Sequence, residues 1–487
     1  MGKLKLIINR FWILIIFLFC ILFSLIFGNI DESVENNYGV IITVSGIFLL
    51  FFSFLILNKT KKLKKDYIKI FVFGIPFFVY IGYILNTNCG TRQHDTRSLE
   101  WEYGGHLGYI AYILENLKLP DFNPTLKWCF NNPPLFYIIS AVFVKLQNLI
   151  GREGYLAIEN LQYLTVFFTI IFNIYVYKIL DILNIKKLKY YIILFVGLSP
   201  AIVYLSGSLN NDILSIMLST MSIYYTICWY KNTKLSDLLK IALTISLAIM
   251  TKINSAIIAI PIGILFLIKL IHERENLKKY ILYYIIFALI ALPIGLWFPV
   301  KNLIKYNIPI TYVQTVVEKQ ENPGYIGDRN IFERFFKVDK EHLQNANLKF
   351  EKEKSDYNIF LTTLKSFVVD EQIEYSKNLL LEIPIYLIML INIVIIVLFF
   401  ISFVKNNYGV EDIFLDLILI FEIIFYIKFC FEYPYAFSMN FRYIVPSIIP
   451  IIVKIGKCGE KNLKICEFIE NLICIYAIAS LILFINL

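Results

Sequence analysis

The sequence predicts an all-α polytopic integral membrane protein with about 13 transmembrane helices, and three observations carry that prediction. The 487-residue chain is 58% hydrophobic and 16% aromatic, with only 17% charged residues, and its mean hydropathy is +0.67. Several apolar runs exceed the ~20 residues a helix needs to cross hydrocarbon. The net charge of +9 sits in short basic clusters between those runs, as the positive-inside bias requires. It therefore reports orientation and argues against a nucleic-acid or other polyanionic partner.

Residues 11–29 follow Lys3, Lys5 and Arg10. Their charge resembles a secretory signal, but the apolar run is too long and no small-residue cleavage pattern follows, so they are read as a retained first span. Spans at 38–58 and 67–86 come next. A middle group occupies 161–181, 190–206, 210–230, 237–250, 253–270 and 280–299, and a last group 379–404, 411–430, 441–455 and 465–486. The basic stretches 59–65, 186–189, 231–234, 272–279 and 454–464 then fall on one side, read as the cytoplasm, which puts the amino terminus inside and the carboxy terminus outside. This parity requires that the apolar stretch from Pro134 to Ile150 does not cross. Opened by Pro133-Pro134, it is read as a helix lying in the outer interface, proline being well suited to a first turn whose amides lack partners.

Two long segments, 87–160 and 300–378, face outward on this reading. The chain divides into 1–66, two additional transmembrane helices; 67–299, a core that includes the external loop 87–160; 300–378, a small external subdomain with a turn at Asn322-Pro323-Gly324; and 379–487, the C-terminal helices. No repeat of solenoid period and no low-complexity tract is present. Cys20, Cys228, Cys466 and Cys474 fall in apolar spans, where cysteine behaves as a small hydrophobe. Cys89 and Cys129 share the first external loop and could close it as a disulfide, which spacing alone does not establish.

The candidate chemistry gathers at the outer edge. His94-Asp95 lies just beyond the third span, where a carboxylate beside a low-dielectric region can be tuned to take a proton from an attacking hydroxyl. Alone, such a pair reads as a solvated loop, but Glu100, Glu102 and His106 follow it, and Asn131-Asn132-Pro133-Pro134 comes later. Two histidines and an acid could also bind a divalent metal, although their spacing is not a metal signature. Asn210-Asn211-Asp212 opens a later span, where Asn and Asp also serve as helix caps. Lys252, in Thr251-Lys252-Ile253-Asn254, runs against the orientation bias and is either a functional group or a lysine snorkelling to the interface. Arg442, in Asn440-Phe441-Arg442-Tyr443, offers a fork of donors matched to phosphate oxygens, its plain alternative being an interfacial Tyr-Arg anchor. Glu371 is a weaker candidate. Asp416 and Glu422 fall inside the eleventh span and suggest only internal pairing.

The external acid, Asn132-Pro133-Pro134-Leu135 at the start of a surface helix, Asn211-Asp212, and Arg442-Tyr443 with Pro446 together resemble the GT-C superfamily. They are most similar to membrane glycosyltransferases related to protein O-mannosyltransferases and the aminoarabinose transferases of lipid A (glycosyltransferase family 39-like). His94-Asp95 followed by Gly105-His106-Leu107-Gly108-Tyr109-Ile110 and Leu119-Pro120 looks like one subgroup, and the resemblance covers roughly residues 67–455. It implies a GT-C fold with external juxtamembrane helices. It also implies transfer of a sugar from a polyprenyl-phosphate-linked donor, with inversion, on the external face, to a lipid, glycan or protein acceptor. Carried over by residue, it implicates Asp95 as general base, Asn132 beside the donor phosphate, Asp212 in the same cavity and Arg442 as a phosphate contact; His94, His106, Lys252 and Tyr443 complete the substrate-binding candidates. Two positions depart from the family's pattern. The acid is followed by Thr96, and the residue before Pro-Pro, often Lys or His there, is Asn132, so that Lys252 or His94 would supply the missing charge.

The chemistry requires one carboxylate and one anion-stabilising cluster. No nucleotide site is needed, and the sequence has neither a Walker A loop nor a Rossmann fingerprint. A transporter or flippase of lipid-linked sugars is the rival reading, and it predicts ionisable groups near mid-membrane and a pseudo-symmetric pair of broken helices. A non-catalytic assembly factor is the third, and it would tolerate loss of Asp95.

Overall fold

The structure, a computed structural model, describes residues 2–27, 38–91, 93–96, 98, 100–314, 322, 324–351, 354–370, 378–405 and 409–487. In this part of the chain every regular element is helical, with one isolated antiparallel bridge between Tyr325 and Tyr435. Three long helices come first, α1 (Gly2–Phe27), α2 (Tyr38–Lys59) and α3 (Lys65–Asn86), followed by α4 (Gly105–Asn116), α5 (Leu135–Leu149), α6 (Tyr155–Glu159) and α7 (Leu161–Ile182). Next come α8 (Lys189–Gly197), α9 (Pro200–Gly207), α10 (Asp212–Asn232), α11 (Leu235–Ile249), α12 (Ala256–His272) and α13 (Leu277–Tyr306). Three short helices, α14 (Ile331–Phe336), α15 (Lys340–Gln344) and α16 (Ile359–Val368), precede α17 (Leu379–Lys405), α18 (Val410–Glu432), α19 (Ile448–Lys461) and α20 (Leu463–Asn486).

Among the described residues, nine helical stretches are long and apolar enough to cross a membrane, or ten if the bent pair α8 and α9 counts as one span. The protein is an all-α polytopic membrane protein. All thirteen expected spans fall on helical chain, though residues 28 and 29 of the first lie outside the described residues. The other three are less apolar or shorter. α11 has 15 residues, the part of α1 whose side chains are described, Trp12–Phe27, is shorter than a span, and α18 carries Glu411, Asp412, Asp416, Glu422, Lys428 and Glu432.

Two expected spans are broken. α8 and α9 meet at 54°, because Pro200 has no amide hydrogen and its ring displaces the preceding carbonyl. Side chains take over the released carbonyls: Ser199 Oγ donates to Phe195 O at 2.7 Å, Tyr80 Oη to Gly197 O at 2.7 Å, and Ser480 Oγ to Leu198 O. Irregular backbone at membrane depth persists only where buried groups satisfy it in this way. The span expected at 441–455 begins as a 3-10 stretch, Phe441–Ser447, and becomes α-helical only in α19.

Side-chain contacts sort the helix termini into two ends. At one end Lys189 meets Asp181, Lys457 meets Asp412 and Lys454 meets Asp416, while Lys69 and Lys189 lie over the Tyr177 ring, so the basic stretches gather there. At the other end lie the last turn of α3, the first turn of α10, the turn between α11 and α12, and the start of the 3-10 stretch before α19. Both ends of segment 87–160 belong to this second end. Gln162 Nε2 donates to Thr87 O at 3.0 Å, and the Cys89 amide donates to Glu159 at 2.7 Å. α5 stays there too, since the Leu135 amide donates to Met250 O at 3.1 Å and Arg152 reaches Leu25 O at 2.7 Å.

Candidate functional site

The loop after α3 is built around the start of α4. The first amides of a helix have no partner within it, and here the loop supplies them: His106 N donates to Asp95 O at 2.8 Å, Leu107 N to Thr96 O at 3.2 Å and Gly105 N to Trp128 O at 2.8 Å. Asp95 is thereby held at φ +56°, in the left-handed region that costs a non-glycine residue energy and concentrates at functional sites. Its Oδ1 accepts the Trp128 indole N–H at 3.1 Å. Trp128 can come this close only because Gly104 has no side chain; a Cβ there would lie 2.7 Å from the Trp128 amide nitrogen, and Gly104 itself sits at φ +72°.

A second set of residues converges from α10, the turn before α12, and the 3-10 stretch before α19. Asn210 Oδ1 accepts from the Asp212 amide at 3.0 Å, and Asn211 Nδ2 donates to Thr251 O at 2.8 Å, tying the 251–254 turn to the start of α10. Asp212 then receives Lys252 on Oδ1 and faces Arg442 Nη1 at 3.7 Å from Oδ2. Arg442 Nη2 also donates to Tyr443 Oη at 2.9 Å, and the Lys252 ammonium and the Arg442 guanidinium each lie 4.9 Å from the Tyr443 ring centre. Two cations thus share one carboxylate and one aromatic face, an arrangement that concentrates positive potential in a small volume.

Both sets open into one cavity of about 770 Å³. Asp95, His106, Asn132, Asp212, Lys252, Arg442 and Tyr443 all line it, with Trp128, Asn131 and Asn211 beside them and an aromatic wall that includes Phe298, Phe350, Tyr435 and Phe437. Of the residues singled out from sequence, His94 does not line the cavity. Its Nε2 lies 2.9 Å from Asp370 Oδ2 in a buried pair, and Asn440 Nδ2 donates to Asp370 Oδ1 at 3.2 Å. Because Asn440 Oδ1 accepts from the Arg442 amide at 2.9 Å, His94 connects the Asp95 loop to the Arg442 segment from behind. Asn132 donates to Tyr137 Oη at 3.2 Å, and that oxygen is 2.8 Å from His106 Nδ1. Glu371 and Pro323 lie outside the described residues. Asp416 pairs with Lys454 at 2.9 Å, and Glu422 is buried in α18, both away from the cavity.

The protonation states follow from these surroundings. Burial pushes the Asp95 carboxyl up, but Arg442, His106, His94 and the Trp128 indole together outweigh it and hold the group below its usual value, so Asp95 is ionised at neutral pH. Burial drives His106 down to about 4 against the opposing pull of Asp95 and Asp212, so its imidazole is neutral there. Cys89 and Cys129, both buried, are not joined in a disulfide. Among the described residues, no group of three or more His, Cys, Asp or Glu is arranged to hold a metal ion.

Trp128 and Asp370 were not legible as site residues. Trp128 looks like one more interfacial aromatic, and Asp370 lies 276 positions from His94; no local spacing announces such a pair. What the finished arrangement offers is two carboxylates, Asp95 and Asp212, and two cations around a single pocket, with Asp95 able to accept a proton and the cations able to stabilise a departing anion.

Residues 131–297 match the family model described as dolichyl-phosphate-mannose-protein mannosyltransferase. That match supports a membrane glycosyltransferase of the GT-C superfamily. The matched stretch contains Asn132, Asp212 and Lys252, begins after Asp95 and ends before Arg442. Comparison with curated proteins and with solved structures returns no match.

Proposed function

We propose that this membrane glycosyltransferase moves a sugar from a polyprenyl-phosphate-linked donor to a hydroxyl acceptor on the external face, with inversion at the anomeric carbon. The observation that supports this reading best is that Asp95, Lys252 and Arg442 line one cavity. The acceptor oxygen attacks the anomeric carbon as the bond from that carbon to the phosphate oxygen breaks. The bonding pair leaves with the phosphate, and the acceptor proton passes to Asp95.

Asp95 suits the role of base because Trp128 occupies Oδ1, leaving Oδ2 for the incoming hydroxyl. A carboxylate held below the ordinary range is a weak base, which fits a step in which the proton moves late, after the acceptor oxygen has begun to bond. Lys252 and Arg442 meet the charge that develops on the phosphate, and preorganised cations of this kind lower a barrier without reorganising at the moment of reaction. Asp212 holds both in place before the donor arrives. The neutral His106 leaves that charge balance unchanged, and Asn132, whose amide is held by Tyr137, lies beside them as a neutral donor.

The test uses purified protein in detergent, a radiolabelled polyprenyl-phosphate hexose and a cell-envelope extract. We expect label to move from the lipid to a second species. Asp95→Asn should lower that rate by about 10²- to 10⁴-fold, the range of a positioned general base, with the KM for donor little changed. Equal rates in the variant and the wild type would remove Asp95 from the role. With the protein reconstituted into vesicles instead, label that crosses the membrane still attached to its lipid would favour a flippase.

A further inference from the structure

The short helices between α13 and α17 carry a set of exposed aromatic side chains. Phe332, Phe336 and Phe360 are 68%, 71% and 63% exposed. They form one patch: the Phe332 and Phe336 rings lie 5.3 Å apart, and Phe335 sits 6.3 Å from Phe336 and 5.6 Å from Phe360. Contiguous apolar surface of this kind on a folded protein marks something that covers it.

Three contacts fix the depth of the patch. Arg334 Nη1 donates to Cys430 O at 2.8 Å, taking one of the carbonyls that the last turn of α18 leaves without a helical partner. Thr363 Oγ1 lies 2.6 Å from Tyr426 Oη. Tyr426 precedes the end of α18 at Glu432 by six residues, roughly 9 Å along the axis. On the other flank, Tyr386 Oη donates to Gln344 O at 2.9 Å, and Tyr386 is already in the second turn of α17. Arg334, Thr363 and Gln344 are therefore held against the C-terminal turns of α18 and the N-terminal turns of α17. Phe335, against Phe431 at 6.0 Å, makes the patch continuous with α18, whose Ile424 is exposed to 54% and faces outward at that depth.

We propose that α14 and α16 lie in the bilayer boundary, with Phe332, Phe336 and Phe360 immersed among the upper acyl chains. The occupant of this face is lipid, because it extends a surface that lipid already covers. Lys337 and Lys340 flank the aromatics, in keeping with lysines whose stems lie along lipid while their charge reaches the headgroups. Segment 300–378, expected from sequence to be a small external subdomain, is then partly membrane-embedded.

The test places photoreactive benzoylphenylalanine singly at Phe336, Phe332, Glu341 and the lipid-facing Ile424, in full-length protein reconstituted into phosphatidylcholine and phosphatidylglycerol vesicles. Irradiation is followed by intact-protein mass measurement. Lipid adducts at positions 336 and 332 should approach the yield at 424 and exceed that at 341 several-fold. Adduct yields at 336 and 332 no higher than at 341 would overturn the proposal. Cross-links between two chains at those positions would also overturn it, by assigning the patch to a second copy.

Discussion

The site depends first on what surrounds single side chains. Asp95 stays ionised because the cations and the indole N–H outweigh its burial, so kcat/KM should hold from neutral pH into the ordinary carboxylate range and fall only below it. Trp128→Phe removes the N–H that rests on Oδ1. The carboxyl then titrates at higher pH, and the acidic limb of the pH–rate profile should move upward, with the rate at pH 7 reduced less than in Asp95→Asn. His106 bears on stability in the same sense as a depressed carboxyl. Its folded-state value of about 4 lies below the 6.5 of an unfolded histidine. The unfolded chain therefore binds the proton first, and stability is lost as pH falls from 6.5 towards 4, by up to about 3 kcal/mol. His106→Gln should make the unfolding midpoint in detergent less dependent on pH between 7 and 5 than it is in the wild type.

At the scale of elements, one glycine decides whether the Asp95 loop can close on α4. Gly104→Ala would force a Cβ into the Trp128 backbone at a positive φ, costing roughly 1–3 kcal/mol. It should lower both the melting temperature and transfer activity, whereas Gly263→Ala, with open space around the added Cβ, should change neither appreciably. The long elements were legible because an apolar run of span length has few other uses, and Pro200 marks the bend between α8 and α9. Less could be read where polar and apolar signals mix. α18 carries six charged residues, yet Asp412 and Asp416 find Lys457 and Lys454 on α19, partners that become visible only once the helices pack. Asn211-Asp212, Lys252 and Arg442 were legible as polar residues at span ends, because polarity is costly there. The His94–Asp370–Asn440 bridge behind them depends on three segments distant in sequence, and no periodicity encodes that.

Across the whole molecule, the two ends differ in charge and in purpose. The stretches 59–65, 186–189 and 454–464 lie at one end, while the cavity with Asp95, Lys252 and Arg442 opens at the other. Short basic loops are retained on the cytoplasmic side during insertion. A lipid-linked substrate also requires its reactive phosphate at headgroup level, so the same asymmetry that orients the chain would point the cavity outward. Two exposed positions test this directly. Leu126 lies in the loop that carries Trp128, and Lys62 lies in the basic turn between α2 and α3. With the exposed Cys474 replaced by Ser, a membrane-impermeant maleimide should label Leu126→Cys in intact cells and Lys62→Cys only after permeabilisation. The reverse pattern would turn the cavity toward the cytosol, and labelling of both in intact cells would mean that the two positions share one face, breaking the link between the basic turns and the inner leaflet. Either result would leave the packing of Asp95, Lys252 and Arg442 intact while removing the external face from the proposed reaction.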